Sequence, residues 1–296
     1  MAHIPVLKDE VIKYLDPRPG ENFIDGTCGG GGHAQEILKH ITPGGRILCL
    51  DLDKETIERL QKKFNGERVA GRMIFVNDNF GDLEKIVQKN NFSPVKGILL
   101  DLGMSSDQLD ESGRGFSFLK DEPLDMRYWQ SNELTARQIV NQWSPPEIEK
   151  ILKEYGEEKF ARYISQEIGK ARKLKSIETT RELLEVIGRA VPEKYKHGRT
   201  NFATRSFQAL RIAVNDELEN LKKFLPQSLN VLANEGRLVI ISFQSLEDRI
   251  VKNFFRQSAI EKKLEILTKK PLTPSQEEIF VNPRGRSAKL RAVRLL

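Results

Sequence analysis

Three times in the first hundred residues a short apolar run stops on an aspartate. The runs are Phe23-Ile24-Asp25, Ile47-Leu48-Cys49-Leu50-Asp51 and Gly97-Ile98-Leu99-Leu100-Asp101. None alternates with polar residues, so both faces of each strand must be covered, which is how a parallel sheet reads. Between the runs, Ile57, Leu60 and Phe64, and then Leu83, Ile86 and Val87, recur at helical spacing around a further apolar run, Met73-Ile74-Phe75-Val76. Strands alternating with helices predict βαβ units and an open α/β sheet.

The alternation then stops. The next comparable strand, Leu238-Val239-Ile240-Ile241-Ser242-Phe243, follows the turn Asn234-Glu235-Gly236 after a gap of about 130 residues, several times what a crossover needs. Much of the gap reads as helix. Ser144-Pro145-Pro146-Glu147 combines an N-cap serine, proline at the first helical position and a capping-box glutamate, ahead of Ile148, Ile151, Leu152 and Tyr155. Phe160, Tyr163, Ile164 and Ile168 form a second stripe, and Thr179 with Glu182 makes another capping box. The expected organisation is a sheet domain over 1–113 and 206–296, split by a helical insertion over 114–205. In the second part, Phe207 to Leu221 predict a long amphipathic helix broken before Pro226. Alternating Lys289 to Leu295 predicts an edge strand with a basic outer face.

Composition narrows the function. No apolar run approaches the ~18 residues of a membrane span, and the first ten residues meet charge too early for a signal-peptide core. Two cysteines, Cys28 and Cys49, and four scattered histidines exclude a disulfide scaffold and a cysteine-rich zinc site. A reducing cytoplasm and no metal are expected. The net charge is +6, and Val281 to Leu296 carries five basic residues without an acid. One local cluster, not the whole chain, therefore suggests a polyanionic partner.

Asp25-Gly26-Thr27-Cys28-Gly29-Gly30-Gly31-Gly32-His33 lies between the first strand and a helix. Glycines there let backbone approach a ligand and leave helix N-terminal N–H groups facing it. Gly29-x-Gly31-x-x-Ala34, with Asp51 downstream, also fits a dinucleotide fingerprint. Asp25 at the loop mouth would repel a pyrophosphate, however, whereas carboxylates favour the ammonium and sulfonium of S-adenosylmethionine. Asp25, Asp51 and Asp101 all fall at the carboxyl edge, where open α/β sheets bind ligands. Asp51 has the acceptors for two ribose hydroxyls. Phe80 is read either as a stacking face for adenine or as core, and Asp101 as nearest the reacting methyl.

Ordered blocks of this sequence resemble the RsmH/MraW family of bacterial rRNA methyltransferases. They include His3-Ile4-Pro5-Val6-Leu7, the glycine loop, Asp101-Leu102-Gly103-Met104-Ser105-Ser106 with Gln108, and Arg114-Gly115-Phe116-Ser117-Phe118. Pro123-Leu124-Asp125-Met126-Arg127, Phe207 to Asn215, Ser242 to Arg249 and Asn282 to Arg291 complete the set. The resemblance implies a Rossmann-like S-adenosylmethionine-dependent methyltransferase sheet with an inserted all-helical domain. It implies methylation of N4 of a cytidine in the decoding region of 16S rRNA, within the small ribosomal subunit. It also implies a cofactor held by Gly31, Gly32, His33, Asp51, Phe80, Asp101 and Gln108. One position departs: Gln244 stands where the family has histidine, which argues against a proton-transfer role there.

Cytosine N4 is a weak nucleophile because its lone pair is delocalised, so a carboxylate or carbonyl accepting an N4 hydrogen bond would favour attack. Asp101, or a backbone carbonyl in Leu102-Gly103-Met104, is the catalytic candidate; Asp101 as cofactor ligand alone is the competing role. Lys194, Lys196, Arg199, Arg205 and the C-terminal arginines are candidates for holding phosphates. Two other classes remain, a nicotinamide-dependent oxidoreductase and a non-catalytic RNA-binding module. The first leaves Asp25 unexplained, and the second has no use for an acid-lined loop.

Overall fold

A computed structural model of the chain describes residues 5–104, 112–198 and 200–296. It divides into two compact units, Met1–Ser105 with Leu218–Leu296, and Ser106–Glu217.

The first unit is built on seven strands. They are β1 (Phe23–Asp25), β2 (Ile47–Asp51), β3 (Met73–Asn77), β4 (Val95–Asp101), β5 (Leu232–Ser242), β6 (Leu264–Ile266) and β7 (Lys289–Leu295). Their order in the sheet is β3-β2-β1-β4-β5-β7-β6. The first five run parallel, while β7 is antiparallel to both its neighbours. Side chains alternate strictly between two covered faces. Phe23, Cys49, Leu99 and Val239 pack with α1 (Lys8–Leu15), α2 (Gly32–Ile41) and α3 (Lys54–Lys63). Ile24, Leu50, Leu100 and Ile240 face the other way, with Leu83 and Ile86 of α5 (Leu83–Lys89), which follows the short α4 (Asn65–Val69). Burying each such side chain stabilises the fold by about 1.5–3 kcal/mol. The continuous apolar runs are thus explained by two-sided burial in an open, Rossmann-like α/β sheet.

The second unit holds α6 (Ala136–Gln142), α7 (Pro145–Glu154), α8 (Ala161–Leu174), α9 (Thr180–Ala190), the single turn α10 (Glu193–Lys196) and α11 (Thr204–Asn215). The capping boxes at Ser144/Glu147 and Thr179/Glu182 start α7 and α9. On α8 the inward stripe is Ala161, Ile164, Ser165, Ile168 and Gly169, and Tyr163 lies outside it, exposed.

Several expectations need correction. The apolar stripe from Phe207 to Leu221 is two helices, because Asp216 turns left-handed at φ 51° and its N–H closes the end of α11 on Ile212 O. Asp tolerates that region better than most residues. Helix α12 (Glu217–Val231) then runs through Pro226 instead of breaking before it. Gln227 Nε2 and Ser228 Oγ donate to the carbonyls of Lys223 and Leu225 around the proline. Helix α11 falls in the second unit, Ser106–Glu217.

A further correction concerns β7, which is not an edge strand, since the three-residue β6 pairs outside it. Its basic face is largely neutralised. Arg291, 8% exposed, forms a two-pronged hydrogen-bonded pair with Asp248 of α13 (Ser245–Ile260). Lys289 also reaches Asp248, and Arg294 pairs with Glu265. Before β7, α14 (Gln276–Val281) leads into a 3₁₀ turn over Pro283–Ser287, where Arg284 and Arg286 are exposed.

Candidate functional site

The parallel register sets β2, β1 and β4 side by side, so Asp51, Asp25 and Asp101 finish three neighbouring strands at one edge. The chain leaving β1 is stitched along that edge. Gly26 N–H donates to Leu99 O of β4, and Cys28 N–H donates to Leu50 O of β2. Gly29 N–H donates to Asp51 Oδ2 at 2.9 Å, and Asp51 Oδ1 accepts from Asp53 N–H at 2.9 Å. Asp53 itself caps α3. Two backbone donors thereby fix the Asp51 carboxylate and leave its remaining lone pairs for a ligand.

Gly31 is required twice over. At φ +75° it caps α2 in the left-handed region, and a β-carbon there would stand 2.7 Å from the Phe64 ring. At Gly32 a β-carbon would press on the Pro5 ring at 3.1 Å. These two glycines therefore serve close packing as well as any approach by a ligand. The sequence pattern alone did not separate the two demands.

Electrostatically the edge is anionic and under-compensated. Asp25 is 1% exposed, and burial pushes its carboxyl up to about 6. His33 and the Thr27 N–H pull it back down, while Asp101 and Asp51 push it further up. Burial also raises Asp51 to about 6, against the lowering effect of its two backbone donors. A carboxylate held at such a cost gains most from a bound cation.

Asp101 is oriented through its backbone, whose N–H donates to Thr27 Oγ1 at 2.6 Å, and its Oδ1 accepts from Gly103 N–H at 3.3 Å. Its Oδ2 lies 3.5 Å from Nε2 of His33 on α2. His33 is 5% exposed, and neither ring nitrogen has a hydrogen-bond partner. Chain spacing gave no sign of this meeting, because it spans 68 residues from a helix start to a strand end.

Phe80 opens the 3₁₀ turn Phe80–Asp82 after β3, half-buried and edge-on to Phe224 of α12 with ring centroids 5.6 Å apart. One side of the ring is core; both sequence readings describe part of its surroundings. Gln108, Ser105, Ser106 and Arg199 lie outside the described residues, as do His3 and Ile4. Phe243 leaves β5 so close to β4 that a β-carbon on Gly103 would sit 2.8 Å from its ring. Gln244 follows at the start of α13, where Glu247 accepts the N–H groups of both Phe243 and Gln244.

Several blocks behind the family resemblance prove to be architectural. Within the second unit the Arg114 guanidinium donates to Arg127 O and Tyr128 O and lies over the Phe116 ring. Arg127 pairs with Asp125. Asn215 accepts from Tyr128 N–H and donates to Met126 O. Gly115, at φ +75°, has no room for a side chain beside Pro123 O. Of the other basic candidates there, Lys196 pairs with Glu193, and Arg205 donates to Glu157 O.

The family model described as the MraW methylase family matches residues 1–296. The chain is 46% identical to ribosomal RNA small subunit methyltransferase H of Syntrophotalea carbinolica, covering 99% of this chain and 98% of that protein. It is 44% identical to the protein of the same name from Persephonella marina, covering 99% of each. Among solved structures it is similar to a putative rRNA methylase from Clostridium thermocellum, at TM-score 0.49 and 13% identity over 99% of this chain and 100% of that one.

Proposed function

The chain belongs to the MraW methylase family, as an S-adenosylmethionine-dependent methyltransferase, and we propose that it methylates the exocyclic N4 of a cytidine in the decoding region of 16S rRNA. The observation that carries this reading is the set of three carboxylates at adjacent strand ends. Two of them are driven up by burial further than the donors and charges around them bring them down. This donor set fits a ligand that brings positive charge and hydroxyl donors. When bound, S-adenosylmethionine supplies an electrophilic methyl group. A dinucleotide would instead bring phosphates to the mouth of a loop that begins on buried Asp25.

The residues divide the work. Asp51 accepts ribose hydroxyls with the lone pairs left by Gly29 and Asp53. Gly31, Gly32 and His33 lend backbone to the loop, the half-buried Phe80 ring offers a face to the adenine, and Gln108 lies in the segment beyond β4. Asp101 accepts a hydrogen bond from the cytosine amine and turns its lone pair toward the methyl, so positioning supplies much of the rate. The amine must be unpaired to reach it, which favours a single-stranded or splayed-out base. Arg286, exposed on its turn, and the exposed Lys194 are candidates for binding phosphates. Such an enzyme acts in the cytoplasm, on rRNA in the small subunit.

Labelled-methyl transfer from S-adenosylmethionine to unmethylated small subunits, followed by mapping of the label, tests the reading. Label on one decoding-region cytidine N4 supports it, and label on a ribose hydroxyl, on a ring carbon or on no RNA contradicts it.

A further inference from the structure

His33 is the one histidine among the described residues that is both buried and lacking a hydrogen bond at either ring nitrogen. Burying a polar ring without partners costs free energy, and packing alone does not repay it. Its surroundings are specific. Nε2 faces Asp101 Oδ2 at 3.5 Å, just beyond hydrogen-bond range, and the Asp25 carboxyl interacts electrostatically with the ring from β1. Asp25 in turn feels Asp101 and Asp51, and Cys28 and Cys49 are buried as thiols beside the same carboxylates. The imidazole thus stands among carboxylates.

We propose that His33 is the final acceptor, within the protein, of the proton that N4 sheds on methylation, passed to it through Asp101. The inference rests on the methyl-transfer reading above and adds a role that donor binding does not require. The new N4–carbon bond forms as the methyl–sulfur bond of the donor breaks, with that electron pair left on sulfur. N4 then carries a positive charge and one proton too many. The proton passes to the Asp101 carboxylate and on to His33 Nε2 once the 3.5 Å gap tightens, as such gaps do when substrate binds. The positive charge lost at sulfur thereby reappears on the imidazole, so the carboxylate cluster keeps the same net charge across the step. The proton returns to solvent when the products leave. Asp101 is the catalytic residue in this scheme, and His33 acts through it.

His33→Gln and His33→Asn, each checked for a native melting curve, test the proposal. Donor affinity is read by calorimetry and single-turnover methylation is followed from pH 5 to 9 at saturating donor. General-base assistance is worth about 10²–10⁴ in rate. The expected result is a fall of at least tenfold in single-turnover rate, donor affinity within about twofold of wild type, and a flattened rise of rate with pH. Wild-type rates in both variants overturn the proposal. So does a loss of donor affinity as large as the loss of rate, which would make His33 a cofactor ligand alone. Coupling to Asp101 is read without turnover from ¹⁵N spectra of the histidine rings. Asp101→Asn should move the His33 Nε2 resonance and leave His40 and His197 in place, and an unmoved His33 resonance also overturns the proposal. Failure of the wild-type protein to methylate any rRNA would sink the functional reading instead, with the spectral arm still informative.

Discussion

At the scale of single residues, the site depends on carboxylates that burial makes harder to ionise. Values near 6 for Asp25 and Asp51, against an ordinary 3.8, mean that the folded chain holds protons which the unfolded chain releases between about pH 4 and 6. Their contribution to stability therefore declines as pH rises through that window, by on the order of 3 kcal/mol per group. A cationic donor reverses this term by favouring the ionised forms. S-adenosylmethionine should bind about tenfold more weakly at pH 5 than at pH 8 for each carboxylate that must ionise, and fluorescence titration across that range measures it. Asp51→Asn should weaken binding about 10- to 100-fold by losing a charged acceptor, and should make the pH dependence shallower. Asp101→Asn separates the two roles of that residue: turnover lost with donor affinity intact is expected, whereas lost affinity would make it a ligand only. The three strand-end acids were legible because each stops an apolar run. The approach of His33 to Asp101 was not, because no local pattern reports which strand end a helix-start side chain will meet.

At the scale of elements, the turn from β1 into α2 carries the largest demand on sequence. Gly31→Ala forces a left-handed backbone on an alanine and drives its β-carbon into Phe64. A loss of about 1–3 kcal/mol in stability, together with weaker donor binding, is expected in denaturant titrations of the free and donor-bound protein. Two strands along from β4, Arg291→Ala leaves the largely buried carboxylate of Asp248 with Lys289 alone, 3.7 Å away. It should cost about 1–3 kcal/mol while leaving the salt dependence of RNA binding unchanged. Arg286→Ala should do the opposite, with native stability and a salt slope shallower by up to about 0.7 if it neutralises one phosphate. Here the sequence pattern misled. Five C-terminal basic residues look alike along the chain, and only folding shows that Lys289, Arg291 and Arg294 are spent on Asp248 and Glu265. The starts of helices α7 and α9 were legible to the residue because capping chemistry is local. The break at Asp216 and the continuity through Pro226 were not, because neighbouring hydrogen bonds decide both.

At the scale of the whole molecule, the alternation of strands and helices, its interruption and its resumption were readable from apolar spacing alone. The strand order was not. A sheet in which β7 inserts antiparallel between β5 and β6 depends on a three-residue strand too short to leave a pattern. What that topology accomplishes is to bring the ends of β2, β1 and β4 together, so that three acids from distant stretches of chain share one edge. Calorimetric titration of the whole chain near pH 7.5 with S-adenosylmethionine, and separately with a nicotinamide dinucleotide, tests that assembly most directly. One saturable site for the sulfonium compound, lost or strongly weakened in Asp51→Asn, with no heat from the dinucleotide, is the expected result. Saturation by the dinucleotide, or sulfonium binding indifferent to Asp51, would contradict it.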